Sequence, residues 1–217
     1  MEPLNDSIII AGFYSKYAKT TAIQVCAPTQ DNSEEDKDQF YEQLQTVINT
    51  VSKHDIKLVI GDFNAKVGEG KTGLEELVGK HGVGVRSDNG SRLVDYCDYN
   101  NLVITGTCFP HKEIHKLTWR SPAGQTLNQV DHIIVSRQHR SSMMDTRVMR
   151  YADISSAHYI IITKLSLKLK NTCPQSINQS IKFIISVAHC RLDFTINSRK
   201  KYKRNVKCQY NKNNNSR

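Results

Sequence analysis

The sequence feature that most constrains the fold is an apolar segment, Ile56-Lys57-Leu58-Val59-Ile60, that runs directly into Gly61-Asp62-Phe63-Asn64. A nearly continuous apolar run of this length is typical of a β-strand buried on both faces, because a half-exposed strand would alternate apolar and polar side chains. Polar side chains at the end of a buried strand are in the usual position for a site. The segment therefore predicts a buried strand with candidate functional residues at its end.

Short apolar strands alternate with helical segments across residues 1–170, and this alternation predicts a mixed α/β domain. The longest helix is predicted to begin at Ser33, because an acidic first turn follows and apolar side chains recur at helical spacing from Phe40 to Val51. A shorter helix is predicted over residues 91–100, after a loop that ends in the turn signal Asp88-Asn89-Gly90. Strands are predicted at residues 8–13, 20–27, 56–60, 102–107, 128–136 and 159–169.

The formal net charge of +9 is unevenly distributed along the chain. Residues 1–170 carry 20 basic and 20 acidic side chains, whereas residues 171–217 carry ten basic side chains and one acidic one, Asp193. Residues 181–187 have the composition of one further strand, but residues 198–217 combine basic and asparagine runs and offer little to bury. We expect a domain over residues 1–170 and a basic, Asn-rich, disordered tail over 171–217. Such a tail is typical either of a nucleic-acid-binding arm or of a solvated low-complexity segment.

Several other classes of protein are excluded by the composition. The longest apolar runs are far shorter than a membrane span, and the polar N-terminus is unlike a secretory signal. The six cysteines are scattered without zinc-ligand spacing, which is typical of reduced cysteines. These features predict an intracellular protein, with the nucleus as a candidate compartment, that has no membrane contact and no small-molecule cofactor.

Four polar residues are the candidates for chemistry. Asp62 and Asn64 end the buried strand, Asp131 lies among apolar residues in the predicted strand at 128–136, and His158 precedes the last strand of the domain. Taken alone, the Asp62 motif is more typical of a turn in which Asp and Asn bind backbone amides. A buried aspartate such as Asp131 needs a partner, and His158 is a suitable one.

These residues belong to a longer series of motifs. The series comprises Ala27-Pro28-Thr29, residues 40–44 (FYEQL), residues 57–68 (KLVIGDFNAKVG), Asp88-Asn89-Gly90, residues 109–112 (FPHK), residues 118–122 (TWRSP), the Asp131 strand and Ala152-Asp153. In this order they resemble the endonuclease/exonuclease/phosphatase superfamily of DNase I-like metal-dependent phosphodiesterases. The resemblance is closer still to endonuclease domains of RTE/BovB-type LINE retrotransposons and to craniofacial development protein 2-like proteins. It implies an α+β fold, a four-layer α-β-β-α sandwich.

The resemblance also implies a role for each candidate residue. Asp62 would orient or deprotonate the attacking water, and Asn64 would bind the scissile phosphate or help to hold a metal. His158 would contact the phosphate, and Asp131 would fix the tautomer of its imidazole. The implied cofactor is Mg²⁺ or Mn²⁺, the implied partner is DNA, and the implied reaction is hydrolysis of a phosphodiester that leaves a nick.

Two departures from the family pattern bear on activity. The family has Ser-Asp-His where this chain has Ser156-Ala157-His158, so a metal-associated carboxylate is replaced by a methyl group. The family domain also begins further upstream, with a segment that carries its main metal-binding glutamate, so the resemblance implies a domain that is incomplete at its N-terminus. These departures predict that cleavage is weak or absent. The alternatives are a non-catalytic nucleic-acid or chromatin-binding protein and a retroelement remnant without a selected role.

Overall fold

The computed structural model describes residues 7–14, 18–70, 73–150, 156–168, 178–186 and 191–195. Its strands and α-helices are, in chain order, β1 (Ile8–Tyr14), β2 (Lys19–Cys26), α1 (Glu34–Thr50), β3 (Ile56–Asp62), α2 (Asp88–Tyr99), β4 (Leu102–Ile104), β5 (Trp119–Arg120), β6 (Leu127–Asn128), β7 (Asp131–Ser136), β8 (Met143–Met149), β9 (Ile160–Lys168), β10 (Asn178–Ser186) and β11 (Arg191–Thr195). None of the helices among these residues is long and apolar enough to cross a membrane.

A mixed sheet and an antiparallel sheet stack on each other and form the body of the fold. The first has the strand order β1-β2-β3-β7-β4, and the second has the order β11-β10-β9-β8. Strands β2 and β3 are parallel, whereas β3 and β7 are antiparallel. Helices α1 and α2 cover the outer face of the first sheet. The described residues thus form three of the four layers that the sequence predicts, and the α+β class is confirmed.

Strand β3 is buried on both faces, as its apolar run predicts. Val59 packs with α1 and α2 on one side of the sheet. Leu58 and Ile60 point the other way and pack against Ile161 and Leu165 of β9 in the core between the two sheets. Because each face of β3 meets a different apolar layer, an alternating polar residue would be buried without a partner on one side or the other.

The amphipathic pattern of α1 is confirmed down to its first residue. The Ser33 hydroxyl caps the helix by accepting a hydrogen bond from the Asp36 amide at 3.1 Å. Phe40 and Leu44 lie on the buried face and pack into the core under the first sheet. The acidic first turn faces the positive end of the helix dipole, which favours this start.

Four elements differ from the sequence prediction. The strand predicted at residues 128–136 is divided into β6, which ends at Asn128, and β7, which begins at Asp131, so Asp131 lies at the start of a strand rather than within one. Helix α2 begins at Asp88 rather than residue 91, because the Ser87 hydroxyl accepts from the Gly90 amide and turns the predicted Asp-Asn-Gly turn into the first turn of the helix. Strand β4 ends at Ile104, and a 3-10 turn, Thr105–Thr107, follows it. Strand β8 was not predicted at all, since the charged residues Asp145 and Arg147 interrupt its apolar pattern.

The segment predicted to be a disordered tail contains two strands. Strand β10 pairs with β9 from Asn178 to Ile185, and β11 pairs with β10. The further strand predicted at residues 181–187 is therefore confirmed, and β11 extends the sheet beyond it. Strand β9 would otherwise present an unpaired edge on this side, so β10 satisfies its backbone groups. The rest of the predicted tail, and the Ala152-Asp153 motif, lie outside the described residues.

Candidate active site

Asp62 and Asp131 lie side by side at one end of the first sheet. Asp62 ends β3 and Asp131 begins β7, and the antiparallel register places the two directly opposite each other. Gly61 allows this end of the sheet to close, because its φ is +150° and an added Cβ would lie only 1.9 Å from the Val25 carbonyl oxygen of β2. The sheet thus brings together two carboxylates that are 69 residues apart in the sequence.

His158 reaches the two carboxylates from the segment that leads into β9. This segment is held in place by β5 and the residue before it, since the Arg120 amide donates to the Ala157 carbonyl at 2.8 Å and the Tyr159 amide donates to the Thr118 carbonyl at 2.7 Å. The Nδ1 atom of His158 lies 3.1 Å from both carboxylate oxygens of Asp131. Its Nε2 atom lies 3.9 Å from Oδ2 of Asp62. The imidazole therefore stands between the two carboxylates.

Burial sets the electrostatics of this cluster. The side chain of Asp131 is fully buried, and that of Asp62 is 13% exposed. Burial, together with the neighbouring charge of Asp131, raises the pKa of Asp62 to about 6, against the opposing effects of a hydrogen bond from the Asn64 amide and of His158. Burial lowers the pKa of His158, but its hydrogen bond to Asp131 and the charges of both carboxylates outweigh this, so the pKa lies above its ordinary value. The arrangement favours a positive charge on the imidazole.

Asn64 is part of the turn that carries Asp62. Its backbone has a φ of +48°, in the left-handed region that asparagine tolerates better than most residues. Its amide donates to Oδ1 of Asp62 at 2.9 Å, and its side-chain Nδ2 donates to the Ala27 carbonyl at 2.9 Å. The turn interpretation of this motif is thus confirmed for Asp62, whose carboxylate binds a backbone amide, whereas the Asn64 side chain binds a carbonyl instead. Asp62, Asp131 and His158 cluster as the sequence predicts. The catalytic roles of the four residues stay predictions.

Two residues that support the cluster were missed as candidates. The buried Thr118 hydroxyl accepts hydrogen bonds from the Val130 and Asp131 amides, each at 3.0 Å, and so fixes the start of β7. His132 is completely buried, and its Nε2 lies 2.7 Å from the Ala65 carbonyl oxygen, to which it donates. Burial lowers the pKa of His132, which keeps it neutral. Both contacts join segments far apart in sequence, and so no local pattern indicates them.

The candidate metal ligands are Asp62, Asp131 and His158, whose ligand atoms lie within 4.8 Å of one another. Mg²⁺ and Mn²⁺ prefer several oxygen ligands. Both oxygens of Asp131 already face His158, Oδ1 of Asp62 accepts the Asn64 amide, and position 157 contributes only a methyl group. Among the described residues of the cluster, Oδ2 of Asp62 is then the one carboxylate oxygen without a hydrogen bond, and it faces Nε2 of His158 at 3.9 Å. The set therefore fits a hard divalent cation poorly.

The chain is similar to craniofacial development protein 2 of Bos taurus. The two are 39% identical over 166 residues, which is 76% of this chain and 28% of that protein. The chain thus spans little more than a quarter of the length of this curated relative. No protein-family model matches the chain.

Among the solved structures that share the fold, two are of NExo. One is the 3′ phosphatase NExo from Neisseria bound to a product DNA hairpin, with a TM-score of 0.55, 17% identity and coverage of 76% of this chain and 67% of that one. The other is the 3′-5′ exonuclease NExo from Neisseria meningitidis, with a TM-score of 0.50, 17% identity and coverage of 73% and 64%. The chain has the DNase I-like fold that the sequence predicts.

Proposed function

We propose that this chain is a phosphodiesterase module that hydrolyses DNA slowly. The observation that carries the proposal is the line of Asp131, His158 and Asp62, in which a histidine is held by one buried carboxylate and faces a second. Such an arrangement can bind an anion and handle a proton at adjacent points. The nuclease fold of the NExo structures, one of which binds a DNA product, supports DNA as the substrate.

The roles divide according to the charge that each group carries. With a pKa of about 6, Asp62 is ionised at neutral pH and can accept a proton from an attacking water. Because its Nδ1–H donates to Asp131, the His158 ring presents Nε2 to the substrate, where a proton would neutralise a phosphate oxygen. Asn64 lies beside Asp62, and we assign it contact with the same phosphate.

The cation fit limits the expected rate. Mg²⁺ or Mn²⁺ is the cofactor that the resemblance implies, and when bound it would neutralise the phosphate and stabilise the leaving oxygen. The described residues fit it poorly, since Ala157 stands where the family pattern has aspartate. We therefore route no step through the metal and expect cleavage far below that of an intact nuclease site.

Nicking of a supercoiled plasmid by pure protein, with Mg²⁺ or Mn²⁺ and with a chelator, tests the proposal. We expect slow nicking that is lost in both Asp62→Ala and His158→Ala. A matched control is Asp95→Asn, which removes a carboxylate from α2, on the helical side of the sheet. Nicking that persists in both site variants would indicate a contaminating nuclease, and an inactive wild type would contradict the proposal.

A second candidate function is nucleic-acid binding without cleavage. The alanine at position 157 favours it, because loss of a metal-associated carboxylate removes catalysis while leaving the groups that contact phosphate in place. The similarity to craniofacial development protein 2 is compatible with either candidate. If the wild-type protein binds DNA but does not nick it, the result would favour this second function.

A further inference from the structure

We infer that Asn89 is a positioning residue that fixes the backbone of Asn64 beside Asp62. The inference rests on the proposed function for its catalytic meaning, but its structural content can be tested independently. Asn89 is the second residue of α2 and is only 5% exposed. The sequence Asp88-Asn89-Gly90 predicts a turn, and the fold places it against the loop that carries the site.

The side chain of Asn89 joins two loops of the first sheet. Its Nδ2 atom donates to the Asn64 carbonyl and to the Pro28 carbonyl, each at 3.2 Å. Pro28 follows Ala27, whose carbonyl accepts the side chain of Asn64. The buried amide group of Asn89 therefore joins the loop after β2 to the loop after β3. The join lies where the side chain of Asn64, in the second loop, contacts the first.

Helix capping does not account for this side chain. The first turn of α2 is capped by Ser87, whose hydroxyl accepts from the Gly90 amide at 3.1 Å. The Asn89 amide group instead leaves the helix and uses both of its N–H groups on carbonyls outside it. One carbonyl is that of Asn64 itself, and the other is that of Pro28, in the neighbouring loop after β2. The contact therefore stabilises the loops of the site rather than the helix.

Such a restraint stabilises Asn64 because its left-handed conformation is one that asparagine tolerates but does not prefer. A φ of +48° disfavours most L-residues, and it persists where the surroundings hold it. In this conformation the Asn64 amide points at Oδ1 of Asp62. If the Asn64 carbonyl loses its donor, the peptide can rotate, and the bond between the Asn64 amide and Asp62 is expected to open more often.

Hydrogen exchange of the Asn64 amide in the full chain tests the inference. Asn89→Asp keeps the shape of the side chain but replaces its donor with an oxygen, and Asn89→Ala removes the donor without adding charge. The control is Asp88→Asn, whose exposed side chain accepts a 3.3 Å bond from Gln30 and contacts neither carbonyl. We expect exchange at Asn64 to accelerate about tenfold in both Asn89 variants, while the Val59 amide of β3 is unchanged.

The exchange result decides the inference whether or not the protein cuts DNA. Unchanged exchange at Asn64, or acceleration shared equally by Asn64 and Val59, would overturn it, since the second pattern indicates general destabilisation. Where the wild type nicks plasmid, the same variants should lower kcat about tenfold with little change in KM. A wild type that does not nick contradicts the proposed function alone, because faster exchange confined to the loop would still support the positioning role.

Discussion

At the scale of single residues, Asp62 combines a candidate catalytic role with a cost in stability. Burial and the charge of Asp131 raise its pKa from the ordinary 3.8 to about 6, so the folded state binds the proton more tightly than the unfolded state does. Its contribution to stability is therefore fully present below pH 3.8 and is lost as the pH rises through 6. We predict that Asp62→Asn raises the free energy of unfolding at pH 8 by about 1–3 kcal/mol.

Urea unfolding of both proteins at pH 4 and pH 8 measures this effect. At pH 4 Asp62 is protonated in the folded state and roughly half protonated in the unfolded chain, and so the difference between variant and wild type should shrink. The same variant should lose any nicking activity, since an amide cannot accept the proton. An Asp62→Asn protein that is less stable than the wild type at pH 8 would show that the carboxylate is better compensated than its burial indicates.

The pKa of His158 tests the pairing with Asp131. The hydrogen bond and charge of Asp131 raise this pKa above the value that burial alone would give. Replacing Asp131 by asparagine removes the charge but keeps a hydrogen-bond acceptor, so the pKa of His158 should fall from its raised value toward the lower value that burial favours. Titration of the imidazole ring by NMR measures the change. A pKa that does not move in Asp131→Asn would mean that the two groups are not paired in solution.

The alanine at position 157 offers a gain-of-function test. Its side chain is exposed next to His158, and its carbonyl is held by the Arg120 amide, so a larger side chain has room beside the cluster. Ala157→Asp adds a carboxylate oxygen, the ligand type that the cluster lacks for a hard cation. We predict that plasmid nicking in Mg²⁺ increases about tenfold or more. The control is Ala157→Asn, because asparagine has the shape of aspartate without its charge. This variant should increase nicking far less.

At the scale of elements, local patterns predict those segments whose burial is simple. The apolar spacing of α1 is compatible only with a helix buried on one face, and the nearly continuous apolar run of β3 favours a strand buried on both faces. Both elements form where predicted. The sequence does not predict strand β8, because Asp145 and Arg147 occupy its exposed or half-exposed positions and its buried residue Thr146 is polar. The hydroxyl of Thr146 is paired with Thr163 of β9 at 2.8 Å, a contact that no local pattern could indicate.

The close approach of β2 and β3 at Gly61 shapes the end of the sheet that carries Asp62. An alanine at Gly61 would place its Cβ 1.9 Å from the Val25 carbonyl oxygen, and the backbone would have to move. We predict that Gly61→Ala lowers the free energy of unfolding by about 2–4 kcal/mol and abolishes nicking. Gly12→Ala in β1 is the matched control, because the nearest atom to its Cβ would be 3.6 Å away, on the side chain of Tyr14. Equal stability of the two variants would contradict the close approach of β2 and β3.

At the scale of the whole molecule, the site could be predicted because its residues belong to motifs that recur together. Asp62, Asp131 and His158 each belong to such a motif, and the fold brings them together although they lie on three separate segments. The supporting contacts of Thr118, His132 and Asn89 were not predictable in the same way. Each is a hydrogen bond to a backbone group. Because every residue has such groups, the side chains of the partner segment do not indicate the contact.

The separation of charge within the chain gives the last prediction. Residues 1–170 are electrically neutral, and residues 198–217 carry eight basic side chains and no acidic one. If this terminal segment contacts DNA, each phosphate that it neutralises should lower log affinity by about 0.9 per tenfold rise in salt. Deleting only residues 198–217 spares β10 and β11, whereas deletion from residue 171 would uncover the edge of β9. We therefore expect the shorter deletion to flatten the salt dependence of binding to a DNA duplex while leaving the unfolding free energy unchanged. An unaltered slope would place the phosphate contacts in the neutral body instead, where Arg120 and Arg150 flank the segment that carries His158.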